Sequence, residues 1–243
     1  MPEFASPPAQ DSSAAPDPAS PANGPSADRP AIGAVQRLSW GLVAACAAFG
    51  MCGSLVLSLG DSLDGSTGVG LGPTLVRYVS FFTILTNLAV LIAATSFLLG
   101  GRPGPVLRVL TLNAVTGIVI TGVVHWFLLR PISETPPGVP ALVDTVQHIV
   151  VPLLTAVVWI VVGPRGHVRG RTVLGSLLFP LAYLVWTLAH GTATGWYPYP
   201  FIDVAVVGYA DALHAGIVIL VIMEILACGC WLRERLTPAG RLA

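Results

Sequence analysis

An all-α integral membrane bundle of six transmembrane helices, with both termini cytoplasmic, is the fold class that the sequence predicts. Three observations lead there. The 243 residues are 54% hydrophobic and only 10% charged, whereas a soluble domain of this size would be about a quarter charged. Six apolar runs are each long enough to cross a hydrocarbon core of roughly 30 Å as a helix. The arginines, finally, fall unevenly on the two sides that those runs define.

Taken in order, residues 1–34 are rich in Pro, Ala, Ser and Asp and offer almost nothing to bury, which predicts a disordered tail. They lack the basic start and short apolar core of a signal peptide, so the next segment is expected to stay as a first span. The six-helix domain then covers 35–232, with spans near 36–59, 75–99, 106–129, 141–162, 172–190 and 204–231. Each span stops where helices stop. The breaks read "GDSLDGSTGVGLGP", "GGRPGP", "RPISETPPGVP", "GPRGHVRGR" and "GTATGWYPYPFID", all supplying Gly, Pro or charge. Residues 233–243 form a cytoplasmic tail.

Orientation follows from the basic residues, all of which are Arg. Arg29, Arg37, Arg102, Arg108, Arg165, Arg169, Arg171, Arg233, Arg235 and Arg241 fall on one side, and only Arg77 and Arg130 on the other. The positive-inside rule makes the crowded side cytoplasmic. The Arg, Ala, Gly and Pro usage suggests GC-rich coding more than a functional signal. A net charge of zero argues against a nucleic-acid partner. Cys46, Cys52, Cys228 and Cys230 sit in apolar runs without metal-site spacing and read as small hydrophobes.

Polar residues inside these runs gather at one depth. Thr83 falls about 12 Å below the outer end of span two, and His148 about 10 Å into span four, at 1.5 Å per residue. Asp144 precedes His148 by one helical turn, on the same face. His125, His190, and the pair Asp211 and His214 come to a similar outer level from spans three, five and six. Tyr78 lies near the start of span two. Unpaired ionisable groups in spans cost several kcal/mol, so they usually face the bundle interior and mark a site. Plainer roles exist for each: interfacial hydrogen bonding for His125 and His190, backbone bonding for the threonines, helix-to-helix contact for Asn87. Glu224 is assigned no role.

Hydroxyl, imidazole and carboxylate together suggest nucleophilic catalysis. A Thr hydroxyl needs a base to take its proton, and a neutral His suits that near pH 7. An Asp one turn away can fix the imidazole tautomer, and the amide of Asn87 could donate to an oxyanion. No Gly-x-Ser-x-Gly, His-Glu-x-x-His or phosphate-binding glycine loop occurs. In "GWYPYPFID", Trp196, Tyr197 and Tyr199 fit an interfacial aromatic belt, while the prolines and Asp203 could instead make a stiff lid over the pocket.

The segments "RYVSFFTILTNL", "DTVQHIVVPLL" and "GWYPYPFID" together resemble the androgen-induced protein and androgen-dependent TFPI-regulating protein family, especially bacterial members, over roughly Trp40 to Trp231. That resemblance implies a six-span threonine hydrolase cleaving lipid esters of the fatty acid–hydroxy fatty acid type. It places the nucleophile on Thr83 in "FFTILTN" and the base on His148 in "VQHIVVP", with Thr86 as a competing nucleophile one turn on. The resemblance carries over no role for Asp144 or Asn87; it is their depth that makes Asp144, Asn87, Asp211 and His214 candidate supporting residues and Tyr78, His125 and His190 candidate pocket residues.

The expected partners are a fatty acyl ester and the bilayer, with no cofactor and no metal. Rival readings are a haem protein using two of His125, His148, His190 and His214, a metal-dependent hydrolase, and a non-catalytic transporter or sensor.

Overall fold

The computed structural model describes residues 33–66, 68–101 and 103–236. The expected N-terminal tail, apart from residues 33 and 34, and positions 237–243 of the expected C-terminal tail lie outside them. Among the described residues every regular element is helical. In chain order they are α1 (Ala34–Leu63), α2 (Leu71–Val79), α3 (Phe82–Leu98) and α4 (Pro105–Val124), the last continued by a π turn over His125–Leu129. Next, α5 (Val139–Thr145) runs through a second π turn, Val146–Val150, into α6 (Val151–Val162). Then come α7 (Gly170–Ser176), α8 (Leu178–Thr194), a 3₁₀ turn at Pro200–Ile202 and α9 (Val204–Leu236).

Five continuous helical stretches are long and apolar enough to cross a membrane, and a sixth if α2 and α3 count as one bent span. They match the six runs in the sequence, with three differences. The second run is not straight: α2 and α3 meet at 70°. The last helix continues to Leu236, past the position where a tail was expected. That helix is also interrupted near its start, where Gly208 adopts φ +80°, a conformation that glycine takes without steric cost.

The bend in the second run has a local cause without Gly or Pro. The Ser80 hydroxyl donates back to the Val76 carbonyl at 2.7 Å, a bond that lets a serine divert the backbone from regular helix. The next residue, Phe81, leaves the helix with φ −75° and ψ 127°, and α3 restarts at Phe82. Two side chains of α8 then fasten the corner. Trp186 Nε1 donates to Ser80 Oγ at 3.0 Å, and the Tyr183 hydroxyl to the Ser80 carbonyl at 3.1 Å.

α4 is the central helix. It is buried without a gap from Thr111 to Ile118 and packs against α3, α6, α7 and α9. α1 lies along α3, where the Trp40 and Phe97 rings meet at 5.0 Å. Helices in lipid gain little from apolar burial against one another, so close backbone approach over small residues matters more. Gly117 of α4 shows this, since a Cβ there would come within 2.8 Å of a Thr86 methyl. Gly53 of α1 does the same against α5, with 2.6 Å to a Val143 methyl.

Gly53→Val is therefore expected to lower stability by about 1–3 kcal/mol, the usual range for overpacking. Gly60→Ala, with nothing within 4 Å of the new carbon, should hold or raise it. Thermal unfolding of the detergent-solubilised protein checks both.

Candidate active site

The bend decides where Thr83 stands. Thr83 is the second residue of α3 rather than a mid-helix position, so its backbone N–H has no partner within the helix. That N–H donates instead to the Tyr199 hydroxyl at 3.3 Å. A helix start carries partial positive charge, and here it lies beside the hydroxyl of a residue that is 7% exposed. The Thr83 Oγ1 lies 3.1 Å from His148 Nε2 and 3.5 Å from the Tyr199 hydroxyl.

The surroundings of His148 settle its tautomer. Nδ1 faces the Asp144 carboxylate at 2.9 Å and the Asp144 backbone carbonyl at 3.1 Å. Both are acceptors, so Nδ1 carries the hydrogen and Nε2 presents its lone pair to Thr83. The hydroxyl therefore donates to the imidazole, as a general base requires. The other carboxylate oxygen of Asp144 lies 3.5 Å from His125 Nε2. The His125 and His148 rings stack at 4.1 Å and within 10° of parallel. One carboxylate thus serves two imidazoles.

Both histidines sit in π turns, which often occur at functional sites. His125 opens the first, where the Arg130 N–H reaches back to the His125 carbonyl at 2.7 Å. His148 is at the centre of the second, which closes through the Val151 N–H to the Val146 carbonyl. Pro152 follows directly and has no N–H to give to the His148 carbonyl. Gly122 lets α4 come up against this stretch; a Cβ there would lie 2.9 Å from Pro152 and 3.2 Å from the His148 carbonyl oxygen.

The remaining residues singled out in the sequence take other places. Asn87 is wholly buried and turned back along its own helix, its amide donating to the Thr83 carbonyl at 2.8 Å, so it does not face the Thr83 hydroxyl. The Thr86 hydroxyl donates to the carbonyls of α3 and contacts Thr121 Oγ1 at 2.9 Å, with no imidazole beside it. Tyr78 donates to the Met51 carbonyl at 2.7 Å and contacts Ser54, tying α2 to α1. His190 stacks on Trp186 at 5.3 Å, with Trp196 edge-on at 5.9 Å. Asp211 and His214 lie exposed on α9. Depth alone had grouped these last three with Thr83 and His148, but their azimuth around the helix carries them elsewhere.

Tyr199 is the contact that sequence reading missed. It was expected at the outer interface, yet it is 8% exposed and turned inward onto Thr83. A signal was present in "YPYP": Pro200 holds the preceding residue extended, and Tyr199 has φ −140° and ψ 141°. The Asp203 carboxylate accepts the Ala205 N–H at 2.9 Å, at the start of α9. Beside Thr83 lies an apolar cavity of ≈ 60 Å³, walled by Phe82, Ile120, Tyr183, Met223, Tyr199 and Phe201.

Among the described residues, His125, Asp144 and His148 are the group that could hold a metal, with ligand atoms within 4.8 Å of one another. The ring stack works against it. Imidazole lone pairs lie in the ring plane, and two stacked parallel planes do not intersect at a shared ion. The same stack leaves no gap for haem iron between these two rings. The geometry is that of a hydroxyl, an imidazole and a carboxylate joined in one hydrogen-bonded chain.

Since Gly122 sets how closely α4 approaches His148, Gly122→Val should displace the imidazole from Thr83. An activity that depends on their contact would fall by about 10²-fold, the scale for a displacement near 1 Å; rates measured on folded variant and wild type check this. Comparisons with protein-family models, with curated proteins and with solved structures found no match.

Proposed function

We propose that this chain is an intramembrane hydrolase of lipid esters, of the fatty acid–hydroxy fatty acid type, with Thr83 as nucleophile and His148 as base. One observation carries the reading: Thr83 Oγ1 sits 3.1 Å from His148 Nε2 while Nδ1 is committed to Asp144. A threonine hydroxyl is inert without a base so placed. A structural threonine in a helix needs only its own backbone, as Thr86 and Thr121 illustrate.

The chemistry divides into two halves. The Thr83 oxygen adds to the ester carbonyl as its proton passes to His148 Nε2, and Asp144 stabilises the imidazolium. Collapse of the adduct expels the alcohol, which takes that proton, and leaves an acyl-threonine. Water then adds with His148 again as base, and the second collapse frees the acid and restores the hydroxyl. The apolar cavity suits the acyl side of the ester. The chain beyond the cavity would extend between helices towards lipid.

The arginine distribution supports a topology with both termini cytoplasmic and the site in the outer half of the membrane, and the resemblance to bacterial family members supports a bacterial cytoplasmic membrane. A metal-dependent hydrolase is the second reading, favoured by the proximity of the His125, Asp144 and His148 ligand atoms. Metal analysis separates the two: a stoichiometric metal whose removal abolishes activity would replace the threonine mechanism.

Labelling of the purified protein with a fluorophosphonate probe is the primary test. Wild type should label, with mass spectrometry placing the adduct on Thr83, and Thr83→Ala and His148→Ala should not. Labelling of a folded Thr83→Ala at the wild-type rate would reject the assignment. Asp144→Asn keeps the shape but loses the carboxylate charge and the preference for Nδ1–H. Its ester turnover should drop by about 10²–10⁴-fold, the upper end matching the loss seen when the same change is made in serine-protease triads.

A further inference from the structure

The reading above supplies a nucleophile, a base and an orienting carboxylate, and it leaves one charge unanswered. When Thr83 Oγ1 bonds to the carbonyl carbon, the π pair moves onto the carbonyl oxygen. Within an apolar cavity that oxyanion needs preorganised donors. Most polar neighbours are committed. The Asn87 amide donates to the Thr83 carbonyl, and the Thr86 and Thr121 hydroxyls are taken up by carbonyls of their own helices and by each other.

The geometry points to Tyr199 as the oxyanion donor, its phenolic hydrogen directed at the carbonyl oxygen of the adduct on Thr83, with the Thr83 backbone N–H as second donor. Tyr199 and Thr83 line the same cavity. The phenol is 3.5 Å from Oγ1 and 3.3 Å from the Thr83 nitrogen. The adduct oxygen is only two bonds from Oγ1, so it falls within hydrogen-bonding reach of both groups. In the free enzyme the phenol oxygen accepts the Thr83 N–H, and because the Thr83 hydrogen is committed to His148, the phenol's own hydrogen faces Thr83 Oγ1 at 3.5 Å. When the ester arrives, its carbonyl oxygen takes over as acceptor for both.

The ring is held where this role needs it. It stacks on Phe201 at 5.3 Å and 3°, and meets Phe81 edge-on at 5.9 Å. Proline on both sides fixes its backbone. Burial pushes the phenol of Tyr199 up from its ordinary value, keeping it a neutral donor. No proton is transferred: Tyr199 lends a hydrogen bond to the adduct and keeps its hydrogen when the carbonyl re-forms.

This inference rests on the hydrolase reading, and one experiment tells the two apart. Wild type, Thr83→Ala and Tyr199→Phe are purified in detergent and compared on a 4-methylumbelliferyl fatty acyl ester, with a trifluoromethyl ketone as adduct mimic. Tyr199→Phe keeps the ring and removes only the donor. Its kcat should fall about 10²–10³-fold, the usual cost of losing one oxyanion donor. KM should move little, and inhibition by the ketone should weaken in parallel with kcat.

Turnover within twofold of wild type, or a loss confined to KM, would overturn the assignment while leaving Thr83 as nucleophile. A folded wild type that neither turns over the ester nor labels on Thr83 would sink both. If Tyr199→Phe fails to fold, 3-fluorotyrosine at position 199 retains ring and hydroxyl and alters only acidity. An unchanged rate and pH profile with that residue would equally reject the donor role.

Discussion

A bend in a helix that lies among apolar neighbours exposes backbone groups that water is not there to satisfy. The corner between α2 and α3 meets that constraint with side chains from distant parts of the chain. Tyr183 and Trp186 of α8 bond Ser80, and Tyr199 accepts the Thr83 N–H. These bonds fix the position of α8 and of the loop that follows it relative to α3. They also leave Thr83 at the start of a helix instead of its middle. The nucleophile candidate, its phenol neighbour and the adjoining cavity are all consequences of how that corner is satisfied.

On the other side of Thr83 the organising element is the Asp144 carboxylate. It reaches both imidazoles of the stacked pair, and through His148 it orders the hydrogen bond to Thr83. Small residues let the backbones close around it. Gly53 admits Val143, next to Asp144, and Gly122 admits the turn that carries His148. The two π turns complete the arrangement by placing a histidine on each of two facing helices. Packing and polar geometry are one problem here, because each close crossing brings a titratable group to its partner.

The six apolar stretches were legible because span length and the breaks between spans are properties of single segments. Thr83, His148 and Asp144 were legible because a hydroxyl, an imidazole and a carboxylate at matched depth are costly in lipid without a purpose. Depth fixes only one coordinate, however. α3 and α9 are apolar nearly all round, so their sequences do not say which way a side chain points. That is why Asn87 faces its own backbone and Asp211 and His214 are exposed, although their heights fit. The 70° bend left no mark of the usual kind, since Ser80 and Phe81 are neither Gly nor Pro. Tyr199 was hidden by a sufficient alternative, because aromatic residues at a span end already have an interfacial explanation.

The bend also shortens the part of the second run that stands upright. α3 has 17 residues, or about 26 Å at 1.5 Å per residue, against a hydrocarbon thickness of roughly 30 Å. A stretch that falls short is matched by local thinning of the bilayer around it. Thinning at the end of α3 that carries Thr83 would bring the aqueous boundary towards its hydroxyl. Under the hydrolase reading proposed above, that would supply the one water consumed per ester while the acyl chain stays in oil.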